Sequence, residues 1–293
     1  MRFVAFEKDG QPAVGAVIPE EDAVVDLSEA GLPADLASII EMGDAGMRAA
    51  AKACDQGARV PMSGLKILAP FPRPRRNVIC VGKNYFEHSK EFENSGFDST
   101  SGGQTVPDAP VVFTKAPSSV SAPGDEIPAT SDPSESTDYE GELGVVIGKA
   151  GRNISKADAY AHVCGYTIVN DVTARNLQQR HKQWFLGKSL DGFCPMGPVF
   201  VTADEIGDVT TLKLTTHVNG ELRQDACVKD LIFDIPTIIE TVSALITLEP
   251  GDIIATGTPA GVGIGFKPPK FLKPGDVVKI EIDRIGVLEN PVV

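Results

Sequence analysis

Glu140 and Glu142 stand one residue apart at the entry to an apolar run, Leu143-Gly144-Val145-Val146-Ile147-Gly148, and a third acid, Asp171, closes a second run, Tyr166-Thr167-Ile168-Val169-Asn170. Runs of this kind read as buried strands. A buried strand carries its end residues inward with it, where an uncompensated carboxylate is costly. Side chains at i and i+2 of an extended chain share a face, so Glu140 and Glu142 project side by side while Gly141 is expected to leave the opposite face open. Two readings fit these acids. Asp132, Glu135, Asp138, Glu140 and Glu142 can form one solvated acidic stretch, or Glu140, Glu142 and Asp171 can surround a cation. The apolar run that follows favours the second. With no Cys or His nearby in sequence, an all-oxygen donor set suits Mg²⁺ or Mn²⁺, with Ca²⁺ as a substitute in vitro, better than Zn²⁺.

The chain has 293 residues, 42% of them hydrophobic, enough to bury the core of one large domain or two unequal ones. Its formal net charge of −13 argues against a nucleic-acid or anionic-membrane partner, since both require clustered Lys and Arg. An anionic substrate would have to be drawn in by local cations. No apolar segment approaches the ~20 residues of a bilayer span. Met1 to Gly10 reads as a strand entering a turn rather than as a signal peptide. The five cysteines (Cys54, Cys80, Cys164, Cys194, Cys227) form no C-x-x-C pair, which fits reduced thiols in a cytoplasmic protein.

Residues 1–72 read as a small α/β domain, with strands at 2–7, 13–18 and 23–27 and helical stretches near 33–42 and 44–55. Pro70-Phe71-Pro72-Arg73-Pro74-Arg75-Arg76 can continue neither a helix nor a central strand, so the boundary falls there. Residues 73–293 are β-dominated, with helical patterns at 156–163 and 236–247; the fold class expected for the whole is α+β. Gly251-Asp252 and Gly275-Asp276 read as turns introducing strands. The Ser-, Gly- and Asp-rich segment 93–109 reads as a mobile surface loop.

His88 and Glu91 lie three apart, so on a helix they share a face and can meet. A carboxylate against an imidazole fixes the tautomer and stabilises the protonated ring, which is a general-base arrangement; a surface ion pair has the same spacing. Lys115 and Lys188 stand among apolar and small residues, and Arg175 follows Asp171 by four. Each is either a partner for one of the many carboxylates or a source of positive potential for an anionic substrate. Thr256-Gly257-Thr258-Pro259-Ala260-Gly261-Val262-Gly263-Ile264-Gly265 matches neither a Walker nor a dinucleotide pattern, but its backbone N–H groups could meet a carboxylate. His162, His181 and His217 lack ligand-like spacing.

Taken together, these segments resemble the fumarylacetoacetate hydrolase superfamily over about residues 77–293. Glu140, Glu142 and Asp171 match the E-x-E and distant Asp of its metal site. Gly82 to Tyr85 with His88 and Glu91 match the segment that carries its His-Glu dyad on a lid. Phe113-Thr114-Lys115, Gly187-Lys188-Ser189 and Thr256 to Pro259 match further family segments. The resemblance implies a mixed β-roll, usually homodimeric, with Mg²⁺ or Mn²⁺ on the triad and a small anionic 2-oxo acid as substrate. It implies His88, Glu91 and Lys188 as catalytic residues, and Tyr85, Lys115, Arg175, Gln178, Gly257 and Thr258 as substrate contacts. The stretch at 93–109 departs from the family by its length. Hydrolysis of acylpyruvate-type β-diketo acids is the first expectation, His88 and Glu91 activating water. Oxaloacetate decarboxylation, hydroxymuconate-type isomerisation, ureidoglycolate lysis and metal-dependent binding without catalysis are the alternatives.

Overall fold

In the computed structural model, residues 1–96 and 106–293 are described. The expected surface loop at 93–109 falls largely on residues outside this range; its first three residues belong to a helix, Phe86–Ser95. Among the described residues no helix is long and apolar enough to cross a membrane.

The architecture is strand-rich α+β. Its main sheet runs in the order 59–61, 23–26, 11–18, 2–8, 194–202, 163–170, 141–147, 253–255, 78–82, 111–115, and remains an open path among the described residues. A second sheet, ordered 221–227, 213–218, 277–282, 286–291, packs beside it. Most pairings are antiparallel, while Ile253–Ala255 runs parallel to Val78–Gly82, so the main sheet is mixed.

Gly141–Ile147 is buried at every position, as its unbroken apolar pattern requires of a central strand. The face opposite the two glutamates is not open, contrary to expectation. A Cβ on Gly141 would lie 2.5 Å from Thr216 Oγ1 and 3.2 Å from both Gln224 Oε1 and Ile280 Cγ2. Glycine stands there because the second sheet presses on the strand.

The N-terminal strands and helices form close to where the sequence places them: Arg2–Lys8, Gln11–Ile18, Ala23–Asp26, Leu36–Glu41 and Asp44–Gln56. Arg2 and Phe3 pair with Val201 and Phe200, so the sheet runs without a break across the expected boundary between residues 72 and 73. The Pro-rich connector holds no helix or strand, and its Phe71 packs edge-on against Phe200 at 6.1 Å between ring centroids.

The expected helix at 156–163 is a correction: the segment forms only a 3₁₀ turn, Ala159–His162. Val163 pairs with Ile147 and so belongs to the 163–170 strand rather than to a helix. The other expected helix forms as Ile235–Leu245, capped by Asp234 accepting the Thr237 N–H. Both Gly-Asp turns introduce strands, at Ile253–Ala255 and Val277–Ile282.

Candidate metal centre and acid-base dyad

The sheet register assembles the acids. Gly141 pairs with Asn170 and Glu142 with Val169, so the next step outward sets Glu140 beside Asp171. The Glu140 carbonyl accepts the Asp171 N–H at 2.8 Å, and Asn170 Oδ1 accepts the Glu140 N–H at 3.0 Å. Antiparallel pairing of 141–147 with 253–255 brings the residues after Ala255 to the same edge, where the Gly257 N–H donates to Glu142 Oε2 at 2.8 Å. Glu140, Glu142 and Asp171 each offer an oxygen within 4.8 Å of the others, and all three are buried.

These acids belong to no solvated stretch: Asp132 and Asp138, like the triad, are buried, and of the five sequence-local acids only Glu135 is exposed. The neighbouring cations are shared out unevenly. Arg175 Nη1 lies 2.7 Å from Glu140 Oε1, and Lys188 Nζ lies 2.7 Å from Glu140 Oε2 and 2.6 Å from Asp171 Oδ2. Lys115 Nζ approaches Asp171 Oδ1 to 2.6 Å and donates to the Val172 carbonyl at 2.9 Å. Glu142 has no Lys or Arg ion pair among the described residues.

The titration of the site follows this distribution. Burial pushes Glu140 upward, but Lys188 and Arg175 overcome it and hold the carboxyl at about 2. Glu142 is driven well above the usual carboxylate range, by burial and then by the charges of Asp171 and Glu140. Lys188 is raised: burial opposes its charge, but Asp171 and Glu140 outweigh the burial. Three buried oxygens facing one another, one of them without a cation, are the arrangement a divalent ion would relieve. The all-oxygen donor set fits Mg²⁺ or Mn²⁺.

The dyad forms as its spacing predicts. His88 Nδ1 lies 3.1 Å from Glu91 Oε2 on the Phe86–Ser95 helix, with His88 buried. Glu91 accepts the Gly261 N–H at 3.0 Å through Oε1 and 3.3 Å through Oε2. Gly265 packs directly on it, since a Cβ there would come 1.7 Å from Glu91 Oε1. His88, Glu140, Glu142, Lys188, Arg175 and Gln178 all line one narrow cavity of about 10 Å³. Trp184, held edge-on at 5.0 Å from Phe113 and 5.9 Å from Phe92, supplies an apolar wall.

The expected substrate contacts divide. Arg175, Gln178 and Thr258 line the cavity, and Arg175 Nη2 is buried with no hydrogen-bond partner among the described residues. Lys115 and Gly257 instead face carboxylates of the triad, and Tyr85 is buried outside the cavity walls. Thr258 Oγ1 is already engaged, donating to the Gly141 carbonyl at 3.0 Å and accepting from Gln224 Nε2 at 2.7 Å.

Sequence reasoning missed Lys83, a buried cavity residue at φ 55, together with Trp184 and Asp138. Asp138 had a visible signal: it precedes Glu140 by the same two-residue step that separates Glu140 from Glu142. Lys83 and Trp184 carried no spacing signal, because only the fold brings them to the cavity.

The chain is similar to known proteins along its length. The profile of the family described as "Fumarylacetoacetate (FAA) hydrolase C-terminal" matches residues 77–293. An oxaloacetate tautomerase of Bacillus subtilis is 46% identical, with all of both chains covered. The mitochondrial oxaloacetate tautomerase of Xenopus laevis is 39% identical over all of this chain and 90% of its own length. Among solved structures, maleylpyruvate hydrolase from Sphingobium sp. SYK-6, in complex with manganese(II) and pyruvate, superposes with a TM-score of 0.80. It is 32% identical and covers 100% of this chain and 99% of that one.

Proposed function

The chain belongs to the fumarylacetoacetate hydrolase family, and from that premise we propose that it interconverts the keto and enol forms of oxaloacetate or a similar small 2-oxo diacid. The observation that carries this reading is the His88–Glu91 pair in the wall of the same small cavity as the triad glutamates. Keto–enol exchange moves one proton between C3 and the 2-oxo oxygen and requires no attacking water. The two tautomerases that align along the whole chain support this choice over bond cleavage.

Glu140, Glu142 and Asp171 would hold the cation. When bound, a divalent ion supplies Lewis acidity toward the carboxylate and 2-oxo oxygens of such a substrate. The protein's own part is proton management. With the Nδ1 proton shared with Glu91, the Nε2 lone pair of His88 can accept the C3 proton, and the imidazolium then returns it to oxygen or to solvent. Lys188 and Arg175 stay cationic beside the acids. Arg175 Nη2, without a hydrogen-bond partner among the described residues, is a donor for a substrate carboxylate.

Acylpyruvate cleavage, the first expectation from sequence, is the second reading, favoured by the hydrolase neighbour that holds manganese and pyruvate. It demands a water placed at His88 as well. The deciding assay follows ketonisation of enol-oxaloacetate, pyruvate release from oxaloacetate and acetylpyruvate cleavage in parallel, with Mg²⁺ or Mn²⁺ added. Metal-dependent ketonisation at about 1 per second or faster, with the other two slow, is the expected result. Fast acetylpyruvate cleavage with ketonisation no faster than in buffer would replace the first reading with the second.

A further inference from the structure

Asp138 lies outside the triad and outside the dyad, yet it is fully buried and touches the supports of both. Its Oδ1 accepts the Gly263 N–H at 2.6 Å and the Tyr139 N–H at 2.9 Å. Its Oδ2 accepts the Ile264 N–H at 3.1 Å and Arg175 Nε at 2.9 Å. Gly263 and Ile264 sit in the middle of the loop whose Gly261 N–H holds Glu91 and whose Gly265 packs on Glu91. The adjacent Tyr139 grips the same loop from its hydroxyl, which donates to the Gly261 carbonyl at 2.7 Å. Through Arg175, Asp138 also reaches Glu140.

A carboxylate buried at this depth is costly unless its oxygens are satisfied, and here four donors from three segments satisfy it. Two of those donors are consecutive backbone N–H groups, which fix the path of the loop as well as its distance. We infer that Asp138 is a positioning residue: it fastens the 261–265 loop to the segment that leads into the carboxylate wall, and so sets where Glu91 holds His88 relative to the triad. The inference rests on the reading of His88–Glu91 as the proton-transfer pair, and it adds a residue that the reading itself does not contain. Asparagine has the same shape but supplies only one acceptor oxygen, so at least one of the loop N–H groups would face an NH₂ group instead.

The test is a double-mutant cycle on kcat in the Mn²⁺-loaded protein: wild type, Asp138→Asn, Glu91→Gln and the pair. If Asp138 acts through Glu91, each single change lowers kcat by about tenfold or more. The double variant then falls no further than about threefold below the weaker single variant, because coupled residues are not additive. Losses that multiply, or a wild-type kcat in Asp138→Asn, overturn the inference. Amide hydrogen exchange is read in parallel and needs no substrate. Faster exchange at Gly263 and Ile264 in Asp138→Asn is expected, and unchanged exchange overturns the inference. Should Asp138→Asn fail to fold, Gly263→Ala strikes the same contact from the loop side, since its Cβ would lie 2.6 Å from Asp138 Oδ1 as well as 2.5 Å from the Lys270 carbonyl oxygen; the same cycle and the same outcomes apply. A wild type inert toward oxaloacetate sinks the tautomerase reading alone, and the cycle is then run on whichever 2-oxo acid the protein turns over.

Discussion

Glu140 is gripped at 2.7 Å by both Arg175 and Lys188, whereas Glu91, behind His88, has no Lys or Arg ion pair among the described residues and leans on the Gly261 backbone N–H. The first carboxylate immediately precedes a strand whose register is fixed on both sides, by 163–170 and by 253–255. The second rides on a ten-residue helix that packs on a glycine-rich loop. A charge locked by other charges in a sheet is suited to holding an ion. A carboxylate held by a backbone N–H on a short helix depends instead on the loop that supplies that donor. The contrast predicts that the two halves can be disabled separately.

The largest separation is expected from His88→Ala. Loss of a general base lowers kcat by about 10²–10⁴-fold, while the Mn²⁺ dissociation constant, read by calorimetry, stays at the wild-type value. Equal loss of metal affinity would show that the dyad and the wall are one unit. Glu142→Gln is the converse. It should weaken Mn²⁺ binding by about 100-fold or more, at least the effect of disturbing a ligand's own supports, with hydrogen exchange across the Phe86–Ser95 helix unchanged. Tight Mn²⁺ binding in that variant would remove Glu142 from the metal site.

Gly265→Ala probes the dyad's support with a single methyl group. Its Cβ would overlap Glu91 Oε1, so kcat should fall about tenfold while Mn²⁺ affinity holds. Activity at the wild-type level would mean that the loop yields freely and does not define Glu91.

The smallest effect is in the pH dependence of the metal-free protein. Glu142 has a folded-state pKa raised above its unfolded value, so the folded form binds more protons and stability falls as pH rises above about 4.5. Glu140 is the reverse. Held at about 2, it contributes stability that is present above about 4.5 and is lost as pH falls toward 2. Urea melts of metal-free Glu142→Gln should therefore decline less above pH 4.5 than those of the wild type, and should keep the same acid limb. Parallel declines for both proteins would contradict the burial of Glu142 as an uncompensated acid.

The parts of this site that were legible in sequence obey local geometry. A two-residue step puts Glu140 and Glu142 on one face, and a three-residue step lets His88 meet Glu91, because both follow from the repeat of a strand or a helix. The apolar run after Glu142 announced burial, and the oxygen donor set announced the class of cation. The three-dimensional fold alone decided which cation meets which acid. Lys188 joins Glu140 across 48 residues, Arg175 joins Asp138 across 37, and the Gly261 N–H reaches Glu91 across 170. It also decided that Lys115 and Gly257 serve the carboxylates, that Gly141 faces a second sheet, and that the N-terminal strands extend the main sheet through Phe3 and Phe200. A backbone repeat fixes neighbours within a turn or a strand; partners from distant segments are chosen by register and burial, which are properties of the whole packed chain.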